Sequence, residues 1–153
     1  MRFLNRKWAE GGYDDYTTHL YLGVYLRHLE DIAPDAPQNL RVLGAVSQGH
    51  NLAGSQVAAT RLDRAAKVFH LVISVRTIEG DGYLEIRYEG IDPDAVDEHA
   101  FEGVDYLLTD EIDVAPGGEQ WEHRILLSPD GEFVIRFKDL QLKLDLPKGG
   151  QDE

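Results

Sequence analysis

The chain has 153 residues, no cysteine and a formal net charge of −13. A chain of this length fits one domain that buries roughly 70% of the surface its unfolded state exposes, so a core needs neither disulfide nor metal. Absence of cysteine excludes disulfide, thiolate-metal and cysteine-nucleophile chemistry, and the negative charge argues against nucleic acid or an anionic membrane as default partner, since both need clustered Lys and Arg.

The opening, MRFLNRKWAEGGYDD, lacks the apolar core of a signal peptide, and no stretch reaches the ~18 apolar residues of a membrane-spanning helix, so a cytoplasmic protein is expected. Asn5 can cap a short helical turn through Trp8 and Glu10, which Gly11 and Gly12 stop. In YDDYTTHLYLGVYLRHLEDIAP, Thr18, Tyr21, Leu22, Tyr25, Leu26, Leu29 and Ile32 follow helical spacing. Asp14 and Asp15 suit the positive end of that helix, and Pro34 ends it. His28 should pack beside the stripe, while Asp15 and His19 read as a solvated pair. A third helix is predicted from about Pro37 to about Val46.

The period then changes to two. Gln56 to Arg61 reads as a strand, and VFHLVISVRTI places Phe69, Leu71, Ile73 and Val75 on one face. Gly80-Asp81-Gly82 suits a hairpin turn into a strand with Leu84, Ile86 and Tyr88 inward and Tyr83, Glu85, Arg87 and Glu89 outward. DPDAVDEHAFEG is an acidic loop or short helix, and VDYLLTDEIDV a strand with Val104, Tyr106, Leu108 and Ile112 as its apolar set. In WEHRILLS, alternation puts Trp121, His123, Ile125 and Leu127 on the core face and Glu122 and Arg124 on the surface. Ser128-Pro129-Asp130-Gly131 matches a type I turn. Phe133, Ile135 and Phe137 then fall out of phase with Leu140, Leu142 and Leu144, which predicts a bulge at Lys138 and Asp139 that turns both sets to the core.

A long amphipathic helix must bury its stripe, and a one-sided sheet offers the surface. The expected fold is α+β, with N-terminal helices packed on one face of a mostly antiparallel sheet of about six strands. Residues 1–147 form one expected domain, helical to about 50 and sheet from about 55 to 146, before a flexible tail at 148–153.

The charge is uneven. Met1 to Lys67 holds seven acids and eight bases, whereas Glu79 to Asp113 holds thirteen acids and one base, Arg87. GAVSQG spaces Gly44 and Ser47 one residue too far apart for a nucleophile elbow, and no phosphate-loop motif occurs. Asp94, Glu98, His99 and Glu102 could share a face and hold Ca²⁺ or Mg²⁺, but the calcium-loop template counted from Asp92 meets Asp97 where Gly is required and Gly103 where Glu is required.

RFLNRKW, with Phe3 and Trp8, and the closing EFVIRFKDL from Glu132 to Leu140 resemble segments of an uncharacterised bacterial family, a domain of unknown function. The resemblance implies a helical N-terminal part running into a sheet. A His-Asp pair found in some members at the entry to the first strand is not matched, since NLAGSQVAATRLD follows His50 without an adjacent Asp.

The functional expectation is a non-enzymatic protein-binding domain that offers an acidic surface, with Asp92, Asp94, Asp97, Glu98 and Glu102 as the candidate residues, to a basic protein partner. An immunity-protein-like role is one concrete version. No catalytic, cofactor-binding or metal residue is assigned. The alternatives are a metal-dependent hydrolase using His99 with Asp94, Glu98 and Glu102, or His123 with Glu122, and an assembly component that oligomerises through Leu residues of the last strand.

Overall fold

A computed structural model describes residues 1–48, 52–77 and 80–145. His50, Glu79 and the tail at 148–153 lie outside them. The described chain is α+β, helices first: α1 (Arg6–Ala9), α2 (Asp15–Ile32) and α3 (Gln38–Gln48), then β1 (Val57–Asp63), β2 (Val68–Thr77), β3 (Gly80–Glu89), β4 (Tyr106–Val114), β5 (Trp121–Ser128), β6 (Glu132–Phe137) and β7 (Asp139–Asp145). No helix among the described residues is long and apolar enough to cross a membrane.

Local chemistry sets the helix ends. The Asn5 side chain accepts from the Trp8 N–H, and the Asp14 side chain from the Thr17 N–H at 2.7 Å. That second bond holds the Asp14 carboxyl below the usual carboxylate range. The Trp8 indole donates to the Thr18 carbonyl at 3.0 Å, docking α1 on α2.

The strands form two antiparallel sheets instead of one: β1-β2-β3-β7 and β4-β5-β6. They face each other across an apolar core, with the Phe69 ring 5.4 Å from Phe133 and Tyr88 5.2 Å from Phe137. Phe69, Leu71, Ile73, Val75, Leu84, Ile86 and Tyr88 are all buried, as alternation predicts. Each such side chain contributes about 1.5–3 kcal/mol of transfer free energy before entropy is counted.

The phase slip at Lys138 has a cause that alternation within one sheet could not express. There the chain leaves the smaller sheet as β6 and enters the larger as β7, a corner made by a strand that switches sheets. Phe137 and Leu140, on either side of the switch, are fully buried; Leu142 packs partly and Leu144 stays exposed. The Lys138 N–H donates to the Glu89 carbonyl, and Gly90 has φ +68° with room for a Cβ removed by Lys138, 2.9 Å from where it would lie. A glycine is required at this close crossing.

Three local expectations change. Gly80, Asp81 and Gly82 belong to β3, paired with Thr77, Arg76 and Val75, so the hairpin connection falls at 78–79, outside the described residues. In β4 the register shifts between Leu107 and Thr109, and this bulge buries Leu107 in place of Tyr106 and Leu108 and turns Asp110 toward the interior, while Ile112 is buried as expected. The 128–131 connection contains a cis Ser128–Pro129 peptide, which the type I pattern does not anticipate; it is closed by the Leu127 N–H on the Gly131 carbonyl at 2.9 Å.

The helices do not lie flat on one sheet face. α3 contacts the edge strands β7 and β4, and the Asn39 side-chain amide donates to the Leu140 carbonyl at 3.0 Å. α2 covers β4, whose Ile112 N–H donates to the buried Tyr25 hydroxyl at 2.8 Å. Strand β4 would otherwise expose an unpaired edge.

Candidate functional site

Alternation separates His123 from Glu122 and Arg124, and the structure keeps them on opposite faces of β5. The outer pair is buried, however, and not at the surface. Residues Arg2, Phe3 and Leu4 cross the outer face of the smaller sheet and donate their backbone N–H groups to the Glu111 carboxylate, Arg2 at 2.9 Å and Phe3 at 2.6 Å. Beneath them Arg124 donates through Nε to Glu111 at 3.1 Å, through Nη1 to Glu122, and through Nη2 to Asp113 at 3.0 Å. Arg2 reaches Asp113 at 3.0 Å, Arg136 reaches Glu122 at 2.8 Å, and His28 Nε2 lies 2.7 Å from Asp113.

Three carboxylates thus meet three guanidinium groups, and the formal charges balance. Burial alone pushes the Asp113 carboxyl up, but bonds from Arg124, the Val114 N–H, Arg2 and His28 outweigh it and hold it below the usual range. Burial likewise disfavours the Arg124 cation, and Glu122, Asp113 and Glu111 more than restore it. This cluster fastens the N-terminal segment to the sheet.

On the inner face the Tyr88 hydroxyl lies 2.6 Å from His123 Nδ1, and His123 Nε2 lies 2.7 Å from Asp110. Both bonds are satisfied together when Tyr88 donates to Nδ1 and Nε2–H donates to Asp110. Burial, then the Asp110 charge, raises the Tyr88 hydroxyl far above its ordinary value. The order Tyr-His-Asp imitates a proton relay, yet Tyr88 and His123 are completely buried, so a substrate reaches them only by opening the sandwich. The trio is a satisfied polar bridge between the sheets. Tyr88→Phe should lower the urea midpoint by an amount equivalent to about 1–3 kcal/mol, because His123 Nδ1 loses its partner in the interior; an unchanged midpoint would refute the bond.

The candidate acids sit on the loop between β3 and β4. Asp92, Asp94, Asp97, Glu98 and Glu102 are exposed, while Ile91, Val96, Ala100, Phe101 and Val104 anchor the same loop in the core, Phe101 4.7 Å from the Phe133 ring. The Asp92 side chain accepts from the Asp94 N–H and Asp97 from the His99 N–H, which fixes the backbone. Arg64 bridges Asp94 at 3.1 Å and Glu98 at 3.2 Å. His99 pairs with Glu102 at 2.8 Å, and that bond raises its pKa. The postulated four-ligand group is therefore divided between two partners, and among the described residues no three His, Asp or Glu side chains are placed to hold one metal ion.

Recesses open among the described residues. One of about 320 Å³ lies between α2 and α3 over Ile112, walled mainly by Leu26, Leu29, Ile32 and Leu40. Another, about 340 Å³, adjoins the acidic loop, lined by Asp92, Val96, Gln120, Val134 and Arg136. What sequence reasoning missed is the buried end of the acidic block: Asp110, Glu111 and Asp113 face inward or beneath the N-terminal segment. A signal was present in the alternation of Glu111 and Asp113 with Ile112, but its meaning required the β4–β5 register that sets Glu111 opposite Arg124.

Compared with protein-family models, with curated proteins and with solved structures, the chain matches none.

Proposed function

We propose that this chain is a non-enzymatic protein-binding domain that presents the exposed acids of the β3–β4 loop to a basic protein partner. The observation that carries the reading is the division of the acidic block: Asp110, Glu111 and Asp113 are consumed in buried bonds, while Asp92, Asp94, Asp97, Glu98 and Glu102 stand outward on a loop anchored by five apolar residues. A loop anchored in the core loses less entropy on docking, and its five exposed carboxylates, with Asp94 and Glu98 partly offset by Arg64 and Glu102 by His99, keep an excess of negative charge that raises the rate at which a cationic surface arrives. Neutralisation of a basic toxin, in the manner of an immunity protein, is one form of this activity.

A metal-dependent hydrolase is less well supported, because Arg64 occupies Asp94 and Glu98, and His123 faces away from Glu122. The resemblance to an uncharacterised bacterial family adds no chemistry to either reading. The test is capture of partners from host-cell extract at low and high salt, with the wild type and with Asp92, Asp94, Asp97 and Glu98 all changed to Lys. A partner retained at low salt, released at high salt and lost by the variant is expected; equal capture by both proteins contradicts the proposal.

A further inference from the structure

Strand β6 ends the smaller sheet and is paired with β5 on one side only. The Leu127 N–H bonded to the Gly131 carbonyl sets the phase of that ladder. With Ile125 opposite Phe133 and His123 opposite Ile135, the backbone groups of Phe133, Ile135 and Phe137 turn toward β5, and those of Glu132, Val134 and Arg136 turn away. Lys138, next in the outward series, has a partner: its N–H reaches the Glu89 carbonyl at the end of β3. At Gly90, with φ +68°, the chain leaves that strand for the acidic loop. The outward backbone groups of Val134 and Arg136 therefore have no partner among the described residues. What the departing loop leaves beside them is the recess of about 340 Å³, bounded by Val134 and Arg136 of the strand and by Asp92, Ala95 and Val96 of the loop.

An edge of this kind is a template for one more strand. We propose that the recess takes an extended, basic segment of a partner protein, which adds to the open side of β6 and lengthens the smaller sheet. The inference rests on the reading of the loop as a docking surface, and names the backbone that the partner engages. Main-chain bonds to Val134 and Arg136 hold the segment, and its inward side chains extend the apolar row of Phe133 and Ile135. Charge selects its composition. Asp92 is exposed at the recess with no cation bridged to it among the described residues, whereas Arg136 is already bonded to Glu122. Of the neighbouring charges, Asp94, Asp97, Glu98 and Glu132 outnumber Arg64 and Lys138. A second copy paired antiparallel through β6 would set Glu132 against Arg136, but it would also bring two acidic loops together. The edge from Glu132 to Arg136 is only about 17 Å long, so the segment binds weakly unless the rest of the partner adds contacts.

Amide hydrogen exchange of the full chain, read residue by residue with an acetylated and amidated peptide of alternating lysine and valine as the probe, tests this. With peptide in excess the Val134 and Arg136 amides should exchange about tenfold or more slowly than without it, and raised salt should remove that protection. Val134→Pro deletes one outward N–H and no bond within the protein, at a position where an edge strand accepts proline. It should weaken peptide binding about tenfold with the melting temperature close to that of the wild type. Should that variant not fold, exchange in the wild type decides alone. The same peptide with glutamate for lysine should not bind. Salt-sensitive binding that leaves both amides unprotected and ignores Val134→Pro overturns the added strand and leaves the acidic docking surface standing. Protection undiminished when Asp92, Asp94, Asp97 and Glu98 are all changed to Lys overturns the docking reading and leaves the open edge standing. A peptide that does not bind overturns both. Protection that appears without peptide as protein concentration is raised places a second copy on the edge and overturns the proposal.

Discussion

Arg124→Met should lower the free energy of unfolding by about 3–5 kcal/mol, the cost of stranding buried charges by removing one partner. Glu111 and Asp113 are both almost completely buried and share this guanidinium, and Glu122 takes its third bond. Arg124→Lys should fall between, since an ammonium cannot reproduce a planar fork aimed at three carboxylates. Adding Glu111→Gln, Asp113→Asn and Glu122→Gln to Arg124→Met removes the stranded charges and should recover part of the loss. The pH profiles should also diverge. In the wild type the Asp113 pKa is depressed, so its contribution is present above the unfolded value and is lost as pH falls through the folded one. In Arg124→Met the strongest of the bonds that depress Asp113 is gone, so less of this pH-dependent stability remains to be lost as pH falls. Urea unfolding across pH checks both, and a variant with wild-type stability and profile would show that the cluster is not buried as described.

The second large effect is expected from Phe137→Asp, which should leave no folded protein. Phe137 is fully buried, packs against Tyr88 from the other sheet and precedes the residue at which the strand changes sheets. Losing such a ring costs about 3–5 kcal/mol, and an unpaired carboxylate in its place adds a desolvation penalty of several more, against a typical total stability of 5–15 kcal/mol. A soluble variant with an unchanged melting temperature would contradict the placement of β6 in the core.

Much of the fold was legible because it is local. Asn5 and Asp14 announce helix starts by their own side chains, and the alternation through Phe69 to Val75 and Leu84 to Tyr88 assigns faces without knowledge of any neighbour. The division into two sheets was not, since it depends on which strands pair. A one-residue slip at Lys138 reads the same whether the chain bulges or changes sheets. Leu108 illustrates the limit again: its bulge reassigns the faces of β4, and only the pairing with β5 reveals it. For the candidate site, the exposed acids of residues 92–102 could be read from the segment itself, with its Pro93, Gly103 and charge. The burial of Glu111, Asp113, Glu122 and Arg124 could not, because the cover comes from Arg2 to Leu4, more than a hundred residues away.

The proposed docking role of the exposed acids on the β3–β4 loop is tested most directly by the association rate of a captured basic partner as ionic strength is raised. The wild type should bind rapidly at low salt and slow steeply with salt, as for steered encounters that gain about 10–1000-fold from charge. The Asp92, Asp94, Asp97 and Glu98 to Lys variant, with its fold intact, should bind slowly and lose that steep fall. Equal rates for the two proteins at every ionic strength would contradict the account.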